Sequence, residues 1–94
     1  MNVRRVILDV DKGLNRPSLL DLAATIEQVP GVEAVNVSVT EMDMETMGTI
    51  ITVEGTMINY DALINSIEDI GAVIHSVDEI AVGRRLIESI SSDE

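Results

Sequence analysis

The amino-acid sequence predicts an α+β sandwich of order βαββαβ, with an antiparallel sheet in spatial order 4-1-3-2 and both helices on one face. Three observations carry that prediction. A unit recurs forty-one residues along the chain, so that Ile26-Glu27 answers to Ile67-Glu68, Val29 to Ile70, Val32 to Val73, Ser18 to Asn59, Leu22 to Leu63 and Thr25 to Ser66. Helical stripes end at Pro30-Gly31 and at Gly71, where proline cannot continue the hydrogen-bond ladder and glycine accepts the reversal. Between the stripes lie runs of alternating β-branched residues, the period of half-buried strands.

Each element has its own warrant. From Val3 to Asp11, Val6, Leu8 and Val10 lie on one side and Arg5, Ile7, Asp9 and Asp11 on the other, which reads as a half-buried strand. A loop over Lys12 to Arg16 leads to a helix opened by Pro17 and capped by Ser18, with Asp21 in a capping-box position and a stripe of Leu19, Leu22, Ala23, Ile26 and Val29. Val35, Val37 and Val39 alternate with Asn36, Ser38 and Thr40 in a second strand. The polar connector Glu41 to Glu45 joins it to a third strand over Gly48 to Glu54, making a hairpin. Asn59 caps a second helix whose stripe is Tyr60, Leu63, Ile64, Ile67 and Ile70. Val73 to Val82 forms the fourth strand; its apolar residues fit either alternation, so periodicity leaves open which side carries His75. Residues 1–83 thus make one domain. Residues 84–94 form a short extension in which Leu86, Ile87 and Ile90 fall at helix-like spacing before the acidic tail Ser91 to Glu94. So short a helix does not hold itself together in water, and it must dock on its own sheet or on a neighbour.

Composition excludes several functions. The chain has 94 residues, enough for a modest core, and no cysteine, so disulfides, thiolate metal sites and cysteine nucleophiles are absent and a reducing, cytoplasmic setting is expected. No apolar segment of signal-peptide or membrane-spanning kind is seen. Asn36-Val37-Ser38 matches a glycosylation triplet, which without secretion is read as a chance match on a strand. Seventeen acidic against six basic residues give a net charge of −11, which repels nucleic acid and anionic membrane. With Tyr60 the sole aromatic residue, no platform exists for stacking bases.

In the predicted sheet the first strand is antiparallel to the third and fourth. Asp9, Asp11, Glu41, Asp43 and Glu45, joined by Asp69, therefore gather at one end, with His75 near Asp9 if it faces the open side. Hard oxygen donors at that density suit Ca²⁺ or Mg²⁺; the spacing is not that of an EF-hand loop. Arg4 and Arg5 begin the first strand and Arg84 and Arg85 follow the fourth, so four of the five arginines converge at the opposite end. Together with Ile7 on the open sheet face and Leu86, Ile87 and Ile90 in the extension, they are the expected contacts of a homo-oligomer. Acidic and basic poles can stack head to tail and close into a ring. His75 has no oriented partner legible in sequence and is read as structural. Met42, Met44 and Met47 are read as hairpin packing, and Lys12-Gly13-Leu14-Asn15-Arg16 as a simple loop lacking a phosphate-binding glycine pattern.

At this point the residues carry a family resemblance. Arg5-Val6-Ile7-Leu8-Asp9-Val10, the Pro17-Ser18 helix start, Gly31-Val32-Glu33-Ala34-Val35-Asn36-Val37, and Val73-Ile74-His75-Ser76-Val77-Asp78-Glu79 followed by Gly83-Arg84-Arg85 resemble an archaeal family of small proteins, domain of unknown function 211. The resemblance implies a ferredoxin-like fold, an archaeal source and homo-oligomers, and it brings no catalytic residues. The methionine-rich connector departs from the more charged hairpin associated with that family. Heavy-metal carrier domains share the helix-then-Gly-Val rhythm but bind through a Cys-x-x-Cys in the first loop, which this chain lacks. The leading expectation is a non-enzymatic, self-assembling module with Ca²⁺ or Mg²⁺ at its acidic end. The alternative is an ACT-like sensor of an amino acid or other metabolite bound between subunits.

Overall fold

The computed structural model describes residues 1–90; the acidic tail Ser91 to Glu94 lies outside the described residues. The elements follow the expected order: β1 (Val3–Gly13), α1 (Leu19–Glu27), β2 (Val32–Met42), β3 (Thr46–Gly55), α2 (Tyr60–Asp69) and β4 (Val73–Val82). The sheet runs β2-β3-β1-β4 with every pairing antiparallel, which is the 4-1-3-2 order read from the other side.

The two related helices begin alike for the same reason. Ser18 and Asn59 stand in extended conformation ahead of their helices and accept, through Oγ and Oδ1, from the amides of Asp21 and Ala62 at 3.0 Å each. Each bond satisfies an amide that the first turn leaves without a partner. Leu22 and Ile26 of α1 and Leu63 and Ile67 of α2 are buried completely, in one cluster with Val6, Leu8 and Val10 of β1 and Ile51 and Val53 of β3. Each such side chain contributes about 1.5–3 kcal/mol by leaving water.

The strands run longer than sequence pattern alone shows. β1 continues through Lys12 and Gly13, residues read as loop, because β3 supplies partners for them at Met47 and Thr46. Burial along β1 keeps its period to the end, so Lys12 follows Val6, Leu8 and Val10 into the interior at 3% exposure. Its ammonium donates to the Gly13 carbonyl at 2.7 Å and approaches Met47 Sδ at 3.9 Å. No helix forms over Arg84 to Ile90, whose spacing is helix-like; the segment turns back without regular structure.

β4 resolves the double reading of its alternation by following neither. Its register with β1 shifts three times. Val3 pairs with Val82 and Arg5 with Ala81, leaving Arg4 extra on β1. On β4 itself, Leu8 pairs with Val77 and Ile7 with Glu79, leaving Asp78 extra, while Val10 pairs with Ile74 and Asp9 with Ser76, leaving His75 extra. Paired residues share a face, so Ile74, Val77 and Ile80 lie with Val10, Leu8 and Val6, and Ile74 packs on the core. The two bulges each place an additional polar residue on the opposite side.

Candidate functional site

The acidic end is lined by all four strands, three of which meet at a glycine of β3. Asp11 and Glu41 both pair with Gly48, from its two sides. A β-carbon at position 48 would stand 3.0 Å from Glu41 Cγ, 3.3 Å from Thr40 Oγ1 and 3.6 Å from Asp11 Oδ1. The missing side chain therefore opens a shallow recess of about 180 Å³, lined by Asp9, Asp11, Thr40, Glu41, Gly48 and His75. The bulge at His75 turns the imidazole to this side, beside Asp9. Of the five acids expected to hold a cation, the fold brings Asp9, Asp11 and Glu41 together here. Asp43 and Glu45 stand in the hairpin turn, exposed and outside the lining. Asp69, at the end of α2, does not line the recess either. Among the described residues no three carboxylate or imidazole groups are already set as metal ligands. Carboxylate oxygens of Asp9, Asp11 and Glu41 are the donor type that hard cations take, and only side-chain movement would bring them to ligand distance of one point.

The opposite end collects the arginines. Val3 pairs with Val82, and the Gly83 amide donates to the Asn2 carbonyl at 2.9 Å, so Arg84 and Arg85 emerge beside the start of β1. Both are exposed, whereas Arg4 is half-buried with its Nε enclosed and, among the described residues, without a hydrogen-bond partner. Arg5 is engaged within the chain. Its Nε donates to Glu54 at 3.0 Å, and Nη1 to Glu79 at 3.2 Å, to the Ile87 carbonyl at 3.3 Å and to Ser89 Oγ at 3.0 Å. Ser89 Oγ in turn donates to Glu79 at 2.8 Å. The Glu54 bond is the main reason that the guanidinium is held above its usual range; burial opposes it and Glu79 adds to it. This network straps the extension to its own sheet. Its sequence signal was the placing of Glu54 at the end of one strand opposite Arg5 at the start of the next.

Apolar groups remain uncovered around the strap and the outer edge of β4: Ile80 and Val82 are about half exposed, Ile87 is 79% exposed and Ile90 98%. Leu86 is half-buried, and Ile7 lies half-buried between Thr52 and Glu79. A cleft of about 600 Å³ separates the strap from Asp78 to Val82. A second, of about 510 Å³, is mostly apolar and reaches from Met1 and Val3 to Ile58, Tyr60 and Ile80.

The family model DUF211, described as Uncharacterized ArCR, matches residues 4–94. Uncharacterized protein MJ0319 of the archaeon Methanocaldococcus jannaschii is 33% identical over 92 residues, spanning 98% of this chain and 94% of that protein.

Proposed function

The chain belongs to the DUF211 family, and from the disposition of its edges and poles we propose that it is a non-enzymatic, self-associating module whose acidic recess takes a divalent cation. The observation that carries the reading is the uncovered aliphatic row of Ile80, Val82, Ile87 and Ile90 beside the paired exposed arginines Arg84 and Arg85. Aliphatic side chains grouped at one edge favour burial against a partner. The net charge of −11 makes exposed guanidinium groups rare and directional. An acidic pole on one copy meets the basic pole of the next, and such head-to-tail contact closes into a ring where the rotation allows. In this reading both helices cover the sheet face of Val6, Leu8 and Val10, supported by the single core they share. The reverse face, with Ile7, is then free for partners.

Asp9, Asp11 and Glu41 would hold Ca²⁺ or Mg²⁺, with waters completing the shell. Because the ligands are not set beforehand, affinity falls in the weak range of roughly 10⁻⁴–10⁻³ M. A second reading, a sensor of an amino acid or similar metabolite bound between copies, is favoured by the mostly apolar 510 Å³ cleft at Tyr60 and Ile80; such a cleft is of a size for small molecules.

Light scattering on the whole chain with millimolar Ca²⁺, and then with chelator, tests the main reading. The expected mass is a multiple of the 10.2 kDa chain, reduced by Arg84→Glu with Arg85→Glu. A 10.2 kDa mass at every concentration would remove the self-association reading. Absence of calorimetric heat with Ca²⁺, unchanged by Gly48→Ala, would remove the cation.

A further inference from the structure

The two outer edges of the sheet differ in a way that selects one of them for pairing. β4 carries two bulges in its register and the strap beside it, and bulges are a device that blunts an edge. β2, on the far side, pairs among the described residues with β3 alone; its two register shifts lie toward its ends, at Glu33 and Thr40, and the run from Ala34 to Val39 between them is uninterrupted. Across Val32 to Met42 it contains no lysine, arginine or proline to guard its free amides and carbonyls.

The sequence of this edge is also its own mirror. Around Val37 the chain reads Glu33-Ala34-Val35-Asn36-Val37-Ser38-Val39-Thr40-Glu41. Two antiparallel copies related by a two-fold axis must centre on a residue, since only then do opposed side chains share a face. Centring on Val37 sets Val35 against Val39 and Val37 against itself on the core side, with Asn36 against Ser38 and Ala34 against Thr40 on the other. Shifting the centre to Ser38 would set Val35 against Glu41, and shifting it to Asn36 would set Glu33 against Val39. Above the same edge, α1 exposes 79% of Leu20 next to a recess of about 220 Å³ formed with Ala23, Ala24 and Val35.

We infer that β2 is an isologous junction with a second copy of this chain, in which Val35 to Val39 pairs antiparallel about Val37 to join two four-stranded sheets into one of eight. The occupant is a second copy because self-complementarity about one residue is what a two-fold contact requires and what an unrelated strand has no cause to match. Leu20 of each copy lies over the seam, toward the small residues of the opposite α1. Glu33 and Glu41 meet at the two ends of the junction, where like charges oppose it, so the pairing tightens with salt. The inference rests on the self-association reading and adds its geometry: an assembly in which every chain uses this seam holds an even number of chains.

The chain has no cysteine, so Val37→Cys introduces a single thiol that meets its own copy at the axis. Opposed strand residues stand about 4.5–5.5 Å apart at Cα, within disulfide reach. Mild oxidation of the full chain is expected to give a covalent dimer in high yield. The double variant Asn36→Lys with Ser38→Lys, both exposed in the single chain, is expected to weaken association at least tenfold with an unchanged circular dichroism spectrum. If the wild type assembles but Val37→Cys stays uncrosslinked and the lysine variant keeps the wild-type mass, the β2 seam is overturned while self-association stands. If the wild type is a single chain at all concentrations, both are overturned.

Discussion

Arg5 shows how much one side chain can organise when it lies at a crossing of elements. It joins Glu54 of β3, Glu79 of β4 and the Ile87–Ser89 strap, and its side chain is only 13% exposed. Replacing it by glutamine leaves two carboxylates facing each other without a cation, at a cost of about 1–3 kcal/mol. That cost lowers the melting temperature by roughly 4–8 °C per kcal/mol in a chain this small, and backbone order parameters of the strap should fall below ~0.6. Undiminished order at Ile87 to Ser89 in Arg5→Gln would show that other contacts hold the strap. The pH dependence has a definite sign. The folded-state pKa of Arg5 is raised above its ordinary value, chiefly by the hydrogen bond to Glu54, so its contribution is complete below that ordinary value and is lost only as pH rises through the raised one. The Arg5 tether therefore persists through the neutral and mildly alkaline range.

At the scale of elements, the two helix-terminating glycines look equivalent in sequence and are not equivalent in space. Gly31 has φ +91° and Gly71 φ +101°, both in the region that L side chains rarely adopt. Among the described residues nothing lies within 4 Å of a β-carbon added at Gly71, whereas at Gly31 it would collide with the Met57 carbonyl and lie 2.6 Å from that of Thr56. Gly71→Ala is expected to cost about 1–2 kcal/mol from backbone conformation alone. Gly31→Ala must also push apart the β2 and β3–α2 segments, which the Thr56 amide ties to the Gly31 carbonyl at 2.9 Å, and is expected to cost more than about 3 kcal/mol. Equal costs in chemical denaturation would contradict this packing. The repeat placed both helices and both caps correctly, because a cap needs only residues within one turn. It could not show that one glycine abuts a neighbouring turn and the other solvent.

For the whole molecule, charge is the term that composition states most directly. A net charge of −11 on 94 residues repels itself, and exposed charges further apart than about 10 Å are screened at 0.1 M salt. Raising NaCl from about 20 mM to about 500 mM is expected to raise the melting temperature by several degrees; a fall would indicate that ion pairs outweigh repulsion. Element order, helix starts and the apolar stripes of β1, α1 and α2, apart from Leu19, which is exposed, were determined by the sequence itself, since each depends on residues a few positions apart. Strand order also brought Asp9, Asp11 and Glu41 to one end, but the expectation included Asp43, Glu45 and Asp69, which stand outside the recess, and Glu41 shares the face of Asp11 only through the register shift after Val39. Only the tertiary structure decided the rest. Bulges at His75 and Asp78 arise from register against β1 and turn the imidazole toward the acids. β3 draws Lys12 into a buried strand end, and the strap gives Arg5 partners more than eighty positions away. Periodicity reports which face a residue prefers, whereas the insertion of an extra residue into a strand pair depends on its partner, and no local pattern carries that information.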